Sequence, residues 1–459
     1  MKKTCFLMLF IIITKVHFSQ CWNNVVAGGY HNLTLKTDAT IWTWGWNFYG
    51  QLGDGTTTSV GLPLKPVTAT NWQRIDAGSG HNLVIKTDGT LWAWGSNYLS
   101  ELGDGTSVNK GTPQQIGTAT NWATIYAGDL YSMAIKTDGT LWTWGRNFDG
   151  ELGNGGSPSV VNVPTQIGTG SNWLKIGGGY KSSIAIKNDG TLWTWGNNAS
   201  GQLGDGTTIN TTTPAQIGTA TNWTEIDGGE GYNLALKSDG TLWAWGSNTY
   251  GQLGDGTTIN KTTPIQIGTA TNWAKISSRY RTSYAIKTDG TLWAWGFNSN
   301  GQMGDGTTVN KLTPTQIGTL NNYNSVSAGY IHAIAVKTDN TAVTFGSNNY
   351  GQIGNNFSGA EVSSPFTLGC VTVGIEEFTQ TQAFEIYPNP TSGIVKIKLE
   401  LLNEANTKLI ITNLFGEVVL SEIITENNTQ LNVNDFKKGI YFVTLENKGG
   451  KSTRKIIIE

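Results

Sequence analysis

The motif Trp-x-Trp-Gly recurs six times at a nearly fixed interval, and that interval constrains the fold more than any other property of the chain. The pairs are Trp42/Trp44, Trp92/Trp94, Trp142/Trp144, Trp193/Trp195, Trp243/Trp245 and Trp293/Trp295, with a degraded seventh copy, Val343/Phe345, before Gly346. The spacing is 50 residues, with a single 51. A strand-rich and turn-rich period of this length marks a stacked or closed repeat in which each unit buries its apolar face against its neighbours. Seven units therefore form one structure.

The second unit, residues 71–117, shows how one repeat reads. Trp72 and Ile75 open a first strand that runs to Ala77-Gly78, and the alternating stretch Leu83 to Lys86 gives a second. Asp88-Gly89 between two apolar runs is a hairpin signal supplying a positive-φ glycine. Leu91 to Gly95 is a third strand, on which Trp92 and Trp94, two apart, point to one face. A long connection with a second Asp-Gly turn at Asp104-Gly105 leads to a short fourth strand ending near Ile116. Four antiparallel strands, seven times over, predict an all-β, seven-bladed β-propeller of four-stranded blades. Of 19 tryptophans, all but Trp46 fall in the Trp-x-Trp pairs or open a repeat, so they are expected to pack between blades.

The ends of the chain are different in kind. Lys2 and Lys3 precede the apolar run Phe6 to Ile13, which reads as a signal peptide over residues 1–20. That run is too short to span a bilayer, and no other segment is long and apolar enough to do so. The Phe18-Ser19-Gln20-Cys21 stretch raises the alternative of a lipid-modified cysteine, against which stands the bulk of Gln20. Thirty basic against 32 acidic residues leave nothing to suggest a nucleic acid as partner. Once Cys5 leaves with the signal, Cys21 and Cys370 bracket the repeats; a closed ring brings them together, and an oxidising compartment favours a disulfide over two free thiols.

The units resemble the regulator-of-chromosome-condensation repeat family, on the strength of Ala-Gly, the Asp-Gly hairpin, Trp-x-Trp-Gly-x-Asn and Gly-Gln-Leu-Gly. The last stands here as Gly50-Gln51-Leu52-Gly53, Gly201-Gln202-Leu203-Gly204 and Gly251-Gln252-Leu253-Gly254, with variants such as Ser100-Glu101-Leu102-Gly103. The resemblance covers roughly residues 22–369 and implies the fold; propellers of this family serve as nucleotide exchange factors, enzyme inhibitors and interaction platforms, so it does not imply one activity. Beyond a propeller of residues 21–370 and a linker of 371–383, the composition changes. Phe384-Glu-Ile-Tyr-Pro-Asn-Pro390, Gly439-Ile-Tyr-Phe-Val443 and the closing Lys455 to Glu459 make residues 384–459 similar to the C-terminal sorting domain of bacterial type IX secretion. That likeness implies a small β-sandwich, with strands at Ile394 to Leu399 and Lys408 to Thr412, and the type IX machinery as a partner.

In a four-strand meander the first-to-second and third-to-fourth connections emerge on one face of the ring. Both differ between units, whereas the opposite face repeats Lys-Thr-Asp-Gly almost unchanged. Variation on a rigid frame marks a binding surface, and neutral drift among duplicated repeats is the alternative. The candidates are Trp46, Phe48, Tyr49, Tyr98 and Phe148 after the Trp-x-Trp-Gly motif, with Tyr30, Tyr131, Tyr232, Tyr280 and Arg281 in or beside the first loop; aromatic and arginine side chains of this kind suit protein or carbohydrate contacts. His31, His81 and His332 share one repeat position in units that become neighbours on ring closure. A zinc site is conceivable there, but the family often carries histidine at this place, and a structural hydrogen bond is expected. The aspartates Asp54, Asp104, Asp205, Asp255 and Asp305 precede Gly and read as turn residues rather than calcium ligands. No Gly-x-Ser-x-Gly elbow, phosphate loop or His-Glu-x-x-His motif occurs. The expectation is an exported binding or adhesion module with no cofactor and no catalytic site. A secreted polysaccharide- or peptide-acting enzyme, or an inhibitor of a foreign enzyme, are the alternatives.

Overall fold

A computed structural model describes residues 22–156, 159–356, 358–359, 361–368, 384–399, 407–413, 418–426, 428–447 and 450–459. The expected signal peptide, the Cys21 to Cys370 disulfide and the linker 371–383 lie outside the described residues. The chain divides into two compact units, one carrying the repeats and the other the C-terminal strands.

The repeats fold into seven four-stranded antiparallel sheets, spanning residues 22–64, 72–115, 122–166, 173–216, 223–266, 273–316 and 323–368. These are blades 1 to 7. In blade 2 the strands are Trp72–Ala77, His81–Lys86, Leu91–Gly95 and Lys110–Gln115, paired in chain order. First strands of successive blades contact one another around the ring and therefore line its centre, while the fourth strands are its half-exposed rim. Each blade is completed by its own consecutive strands, and the ring shuts by packing blade 1 on blade 7. Trp22 N donates to Asn340 O at 3.1 Å, and Ala27 N to Ser327 Oγ at 2.9 Å.

The second tryptophan of each Trp-x-Trp pair is fully buried between blades. Its indole N–H donates to the carbonyl of the Gly-Gln-Leu-Gly glutamine, or its glutamate variant, in the preceding blade. Trp94 reaches Gln51 O at 3.0 Å, and Trp44 closes the circle on Gln352 O at 3.0 Å. A buried carbonyl needs such a donor. The degraded blade 7 carries Phe345, which has no N–H, and there Tyr284 of blade 6 donates its hydroxyl to Gln302 O instead. The first tryptophan of the pair lies nearer solvent. With the tryptophan that opens the repeat it sandwiches the lysine ending the second strand: Lys86 Nζ sits 4.7 Å from the Trp72 ring and 3.6 Å from that of Trp92.

The C-terminal unit is a two-sheet β-structure. Phe384–Tyr387, Ile394–Leu399 and Asn428–Asn432 form one sheet; Thr407–Asn413, Val418–Ile424, Gly439–Asn447 and Gly450–Ile458 form the other. Ile394–Leu399 alternates exposed and buried residues, so Val395, Ile397 and Leu399 enter a core shared with Leu409, Ile411, Val443 and Leu445.

Candidate functional site

The variable loops do share one face. Trp46 N donates to Tyr30 O at 2.9 Å, joining the third-to-fourth loop of blade 1 to its first-to-second loop, and Ser96 N meets Gly80 O in the same way in blade 2. Seven aromatic rings run across this face from blade 1 through blades 7 and 6 to blade 5. Phe48 stacks on Trp46 at 6.2 Å, Trp46 meets Tyr30 at 5.7 Å, and Tyr30 meets Tyr330 at 5.4 Å. Tyr330 then contacts Tyr280 at 5.7 Å, which leads to Phe297 at 6.3 Å and Tyr250 at 5.2 Å. Tyr49 and Tyr350 pack against Trp46 at 5.1 and 5.9 Å. Arg281 is fixed within this belt by Glu230 at 2.5 Å, by the Tyr250 hydroxyl at 2.9 Å, and by the faces of Tyr250 and Tyr280. Tyr98 and Phe148, 77% and 48% exposed, stand on the loops of blades 2 and 3.

Behind the face, the ring centre is closed by one side chain. The Arg279 guanidinium bonds to Ala27 O, Ala77 O and Ala127 O at 3.0, 2.6 and 3.3 Å, spanning the channel from blade 6 to blades 1, 2 and 3. Those three alanines belong to the Ala-Gly motif, and Arg279 itself stands where the other units have the glycine, as Gly28, Gly78, Gly128, Gly179, Gly229 and Gly329. A Cβ on Gly229 would lie 2.0 Å from the ring of Tyr232, and one on Gly28 lies 2.2 Å from that of His31. In blade 6 the residue at the His31 position is the small Thr282, which leaves room for a side chain at 279. Around the plug, neighbouring blades are laced together. Asp76 accepts Ala127 N at 2.7 Å, Asp227 accepts Ser278 N at 2.7 Å, and Ser277 Oγ accepts Ala328 N at 3.0 Å. Burial raises the Asp76 carboxyl to about 6 and that of Asp227 to about 7, with Arg279 pulling both the other way.

Above the plug the channel opens on the loop face as a cavity of about 240 Å³. Tyr30, Tyr330 and Tyr280 line it from blades 1, 7 and 6; Asp129, Tyr180 and Glu230 line it from blades 3, 4 and 5. Burial raises Asp129 to about 7 against the pull of Arg279 and Arg146.

The model of the RCC1-like domain matches residues 14–330, and that of the RCC1 repeat matches 324–352. The chain belongs to the RCC1-like domain family. Residues 385–459 match the secretion system C-terminal sorting domain. Among solved structures, the RCC1-like propeller is similar to Prp20p from Saccharomyces cerevisiae, whose structure was described with its binding to Gsp1p and histones. The two are 22% identical over 80% of this chain and 90% of that one, with a TM-score of 0.66. Human WBSCR16 is 20% identical over 68% and 85%, with a TM-score of 0.61. Likeness at this identity is one of fold. No curated protein matches the sequence.

The RCC1-like frame sorts the sequence candidates into two groups. Trp46, Phe48, Tyr49, Tyr30, Tyr280 and Arg281 come together in the belt, and Tyr98 and Phe148 remain on the same face apart from it. Tyr131 and Tyr232 do not belong to a binding surface. Both are fully buried and donate to the next blade, Tyr131 to Ser182 O at 2.8 Å and Tyr232 to Thr282 O at 2.9 Å. They fill the inter-blade position that His31, His81 and His332 fill elsewhere. The three imidazoles turn to separate partners, Asn82, Ser132 and Asn32, at 2.9, 3.0 and 3.2 Å. Burial lowers them to about 4, 3 and 3, so they are neutral hydrogen-bonding groups. No cluster of three metal-ligating side chains occurs among the described residues. Asp129, Glu230 and Arg279 were not singled out by sequence, although Ser278-Arg279 in place of Ala-Gly is a visible break in the repeat.

Proposed function

We propose that this protein is a binding or adhesion module, delivered to the cell surface or beyond by its C-terminal sorting domain, whose loop face recognises a protein or carbohydrate ligand. The observation that supports this reading is the continuous aromatic belt over blades 1, 7, 6 and 5, set on a frame whose other face is nearly invariant. Rigid aromatic rings expose contact area at low entropic cost and are enriched at binding hot spots. Phe48 is 65% exposed although it stacks on Trp46, so its outer surface is free for a partner. The sorting-domain match to residues 385–459 supports the extracellular setting.

The full chain is to be probed on an array of glycans and surface proteins beside a Phe48→Ala/Tyr98→Ala/Phe148→Ala variant. The variant loses binding while its melting temperature stays within about 1–2 °C, because exposed substitutions cost under ~0.5 kcal/mol. Retained binding would place recognition elsewhere on the molecule, and turnover of an arrayed glycan or peptide would replace the binding reading with an enzymatic one.

A further inference from the structure

The cavity above the Arg279 plug has a chemistry of its own. Asp129 is 8% exposed, lines the cavity, and its Oδ1 is buried with no hydrogen-bond partner among the described residues. A buried acceptor without a donor is a standing free-energy cost that a ligand hydroxyl or amine removes on binding. Arg279, on the same cavity, spends three of its five N–H groups on the carbonyls of Ala27, Ala77 and Ala127. The remaining two can donate to an incoming oxygen. The wall formed by Tyr30, Tyr330 and Tyr280 is a run of touching rings at 5.4 and 5.7 Å, an apolar surface edged with hydroxyls.

Charge and size narrow the occupant. A cationic ligand in the cavity would sit beside the Arg279 guanidinium, which makes no ion pair among the described residues. An anionic one would face Asp129 and Glu230. A neutral group that donates and accepts at adjacent positions, and has an apolar face, meets all three demands. The volume of about 240 Å³ falls below the roughly 300–1,000 Å³ usual for ligand pockets, which suits one ring and not a chain. A groove of about 440 Å³ between the loops of blades 4 and 5 shares Tyr180 and Glu230 with the cavity, giving the rest of a longer ligand a way out.

We propose that the mouth of the central channel binds one neutral pyranose ring of a glycan. The ring stacks on the tyrosine wall, donates a hydroxyl to Asp129 and accepts from Arg279, while the following sugars run into the groove between blades 4 and 5. This rests on the reading of the loop face as a recognition surface and names its ligand class.

The test uses the full chain and saturation-transfer NMR with the methyl glycosides of glucose, galactose, mannose and N-acetylglucosamine, and with methyl glucuronide and methyl glucosaminide as charged counterparts. At least one neutral glycoside binds, and its charged counterpart binds about tenfold more weakly or not at all, one hydrogen-bonded contact being worth that much. Asp129→Asn, which removes a buried charge and so keeps the fold, weakens binding about tenfold with no fall in melting temperature. Tyr180→Ala, at the junction of cavity and groove, weakens oligosaccharides more than the methyl glycoside. Absence of binding by every neutral glycoside, a preference for the charged sugars, or affinity unchanged in Asp129→Asn overturns the proposal. If an arrayed protein binds and is lost in the Phe48/Tyr98/Phe148 variant while no glycoside binds, the pyranose site falls and the recognition face stands.

Discussion

The two faces of this ring are made from the same repeat and have diverged to different degrees. On the turn face the lysine ending each second strand lies over two tryptophans in six blades, and an aspartate two residues on accepts both the backbone N–H and hydroxyl of a threonine, as Asp88 does from Thr90. The lysine, the aspartate and that threonine are engaged within their own blade, so a change at any of them loses contacts at once. On the loop face the position after the motif glycine is Gly29, Ser79, Asp129, Tyr180, Glu230, Tyr280 and Tyr330. In blades 3 to 7 it lines the cavity over the channel as Asp129, Tyr180, Glu230, Tyr280 and Tyr330, while in blade 1 a Cβ on Gly29 would lie 2.5 Å from Ser79 O. Between the two lies the joint itself, where in blades 1, 2, 3, 5 and 7 a bulky residue at the His31 position leaves no room for a Cβ at the Gly28 position. Blade 4, with Ser182, keeps glycine because a Cβ on Gly179 would meet Gly229 O at 2.0 Å, and blade 6, with Thr282, carries Arg279.

That comparison breaks most sharply at Arg279. Arg279→Met leaves three channel carbonyls without their donor and the neighbouring carboxyls of Asp76 and Asp227 without a cation, and is expected to cost about 3 kcal/mol in denaturant unfolding. A loss below ~1 kcal/mol would mean that the ring needs no plug. Next is Gly229→Ala, whose methyl meets Tyr232 at 2.0 Å and costs about 2 kcal/mol through overpacking. The same substitution in a Tyr232→Thr background, which copies blade 6, should cost far less. A double-mutant cycle measures the coupling, and additive effects would refute the steric pairing. Smaller again is Tyr284→Phe, which leaves Gln302 O without its donor for about 1–2 kcal/mol. Phe345→Trp in that background returns the indole N–H the other six blades use, and should recover most of the loss; failure to do so would show that Tyr284 contributes by packing alone.

Much of this was legible in the chain. The 50-residue period, the Asp-Gly turns and the spaced tryptophans specify blade number, strand order and which loops share a face, because each is a local signal repeated until chance is excluded. The strand positions at Ile394 and Lys408 followed from alternation in the same way. The site residues were less legible for a physical reason: period and pattern say which face a residue leaves from, not whether a neighbouring blade covers it. Tyr131 and Tyr232 illustrate this. They occupy the repeat position of His31, where a structural hydrogen bond was expected for histidine, and the same expectation extended to tyrosine places them in the joint. The signals for Arg279 and Tyr284 were present as departures from the repeat, Arg for Gly and Tyr for the aliphatic residue of the other units. Their meaning depended on which atoms lie across the ring.

The smallest expected effect separates the cavity from the joint by pH. Asp129 is raised to about 7 in the folded protein from an ordinary value near 3.8. The folded state therefore holds a proton that the unfolded state has lost between those values, and this carboxyl lowers stability progressively as pH rises from about 4 to 7. The groups that face it are Arg279 and Arg146, which favour the carboxylate, and Glu101 and Glu230, which oppose it. The buried histidines work in the other sense: lowered to about 4, 3 and 3, they favour the folded state above pH 6.5 and lose that contribution as pH falls. A single pH profile mixes the two, so the informative quantity is the difference between Asp129→Asn and the parent. That difference should be near zero at pH 4 and grow to about 1 kcal/mol in favour of the variant at pH 8, roughly 2–4 °C in melting temperature. His81→Gln gives a difference that varies with pH in the opposite direction, since it removes a group that the folded state holds neutral. If the Asp129→Asn difference is flat from pH 4 to 8, its carboxylate already has a partner at the channel mouth, and a ligand hydroxyl has no unmet acceptor to find there.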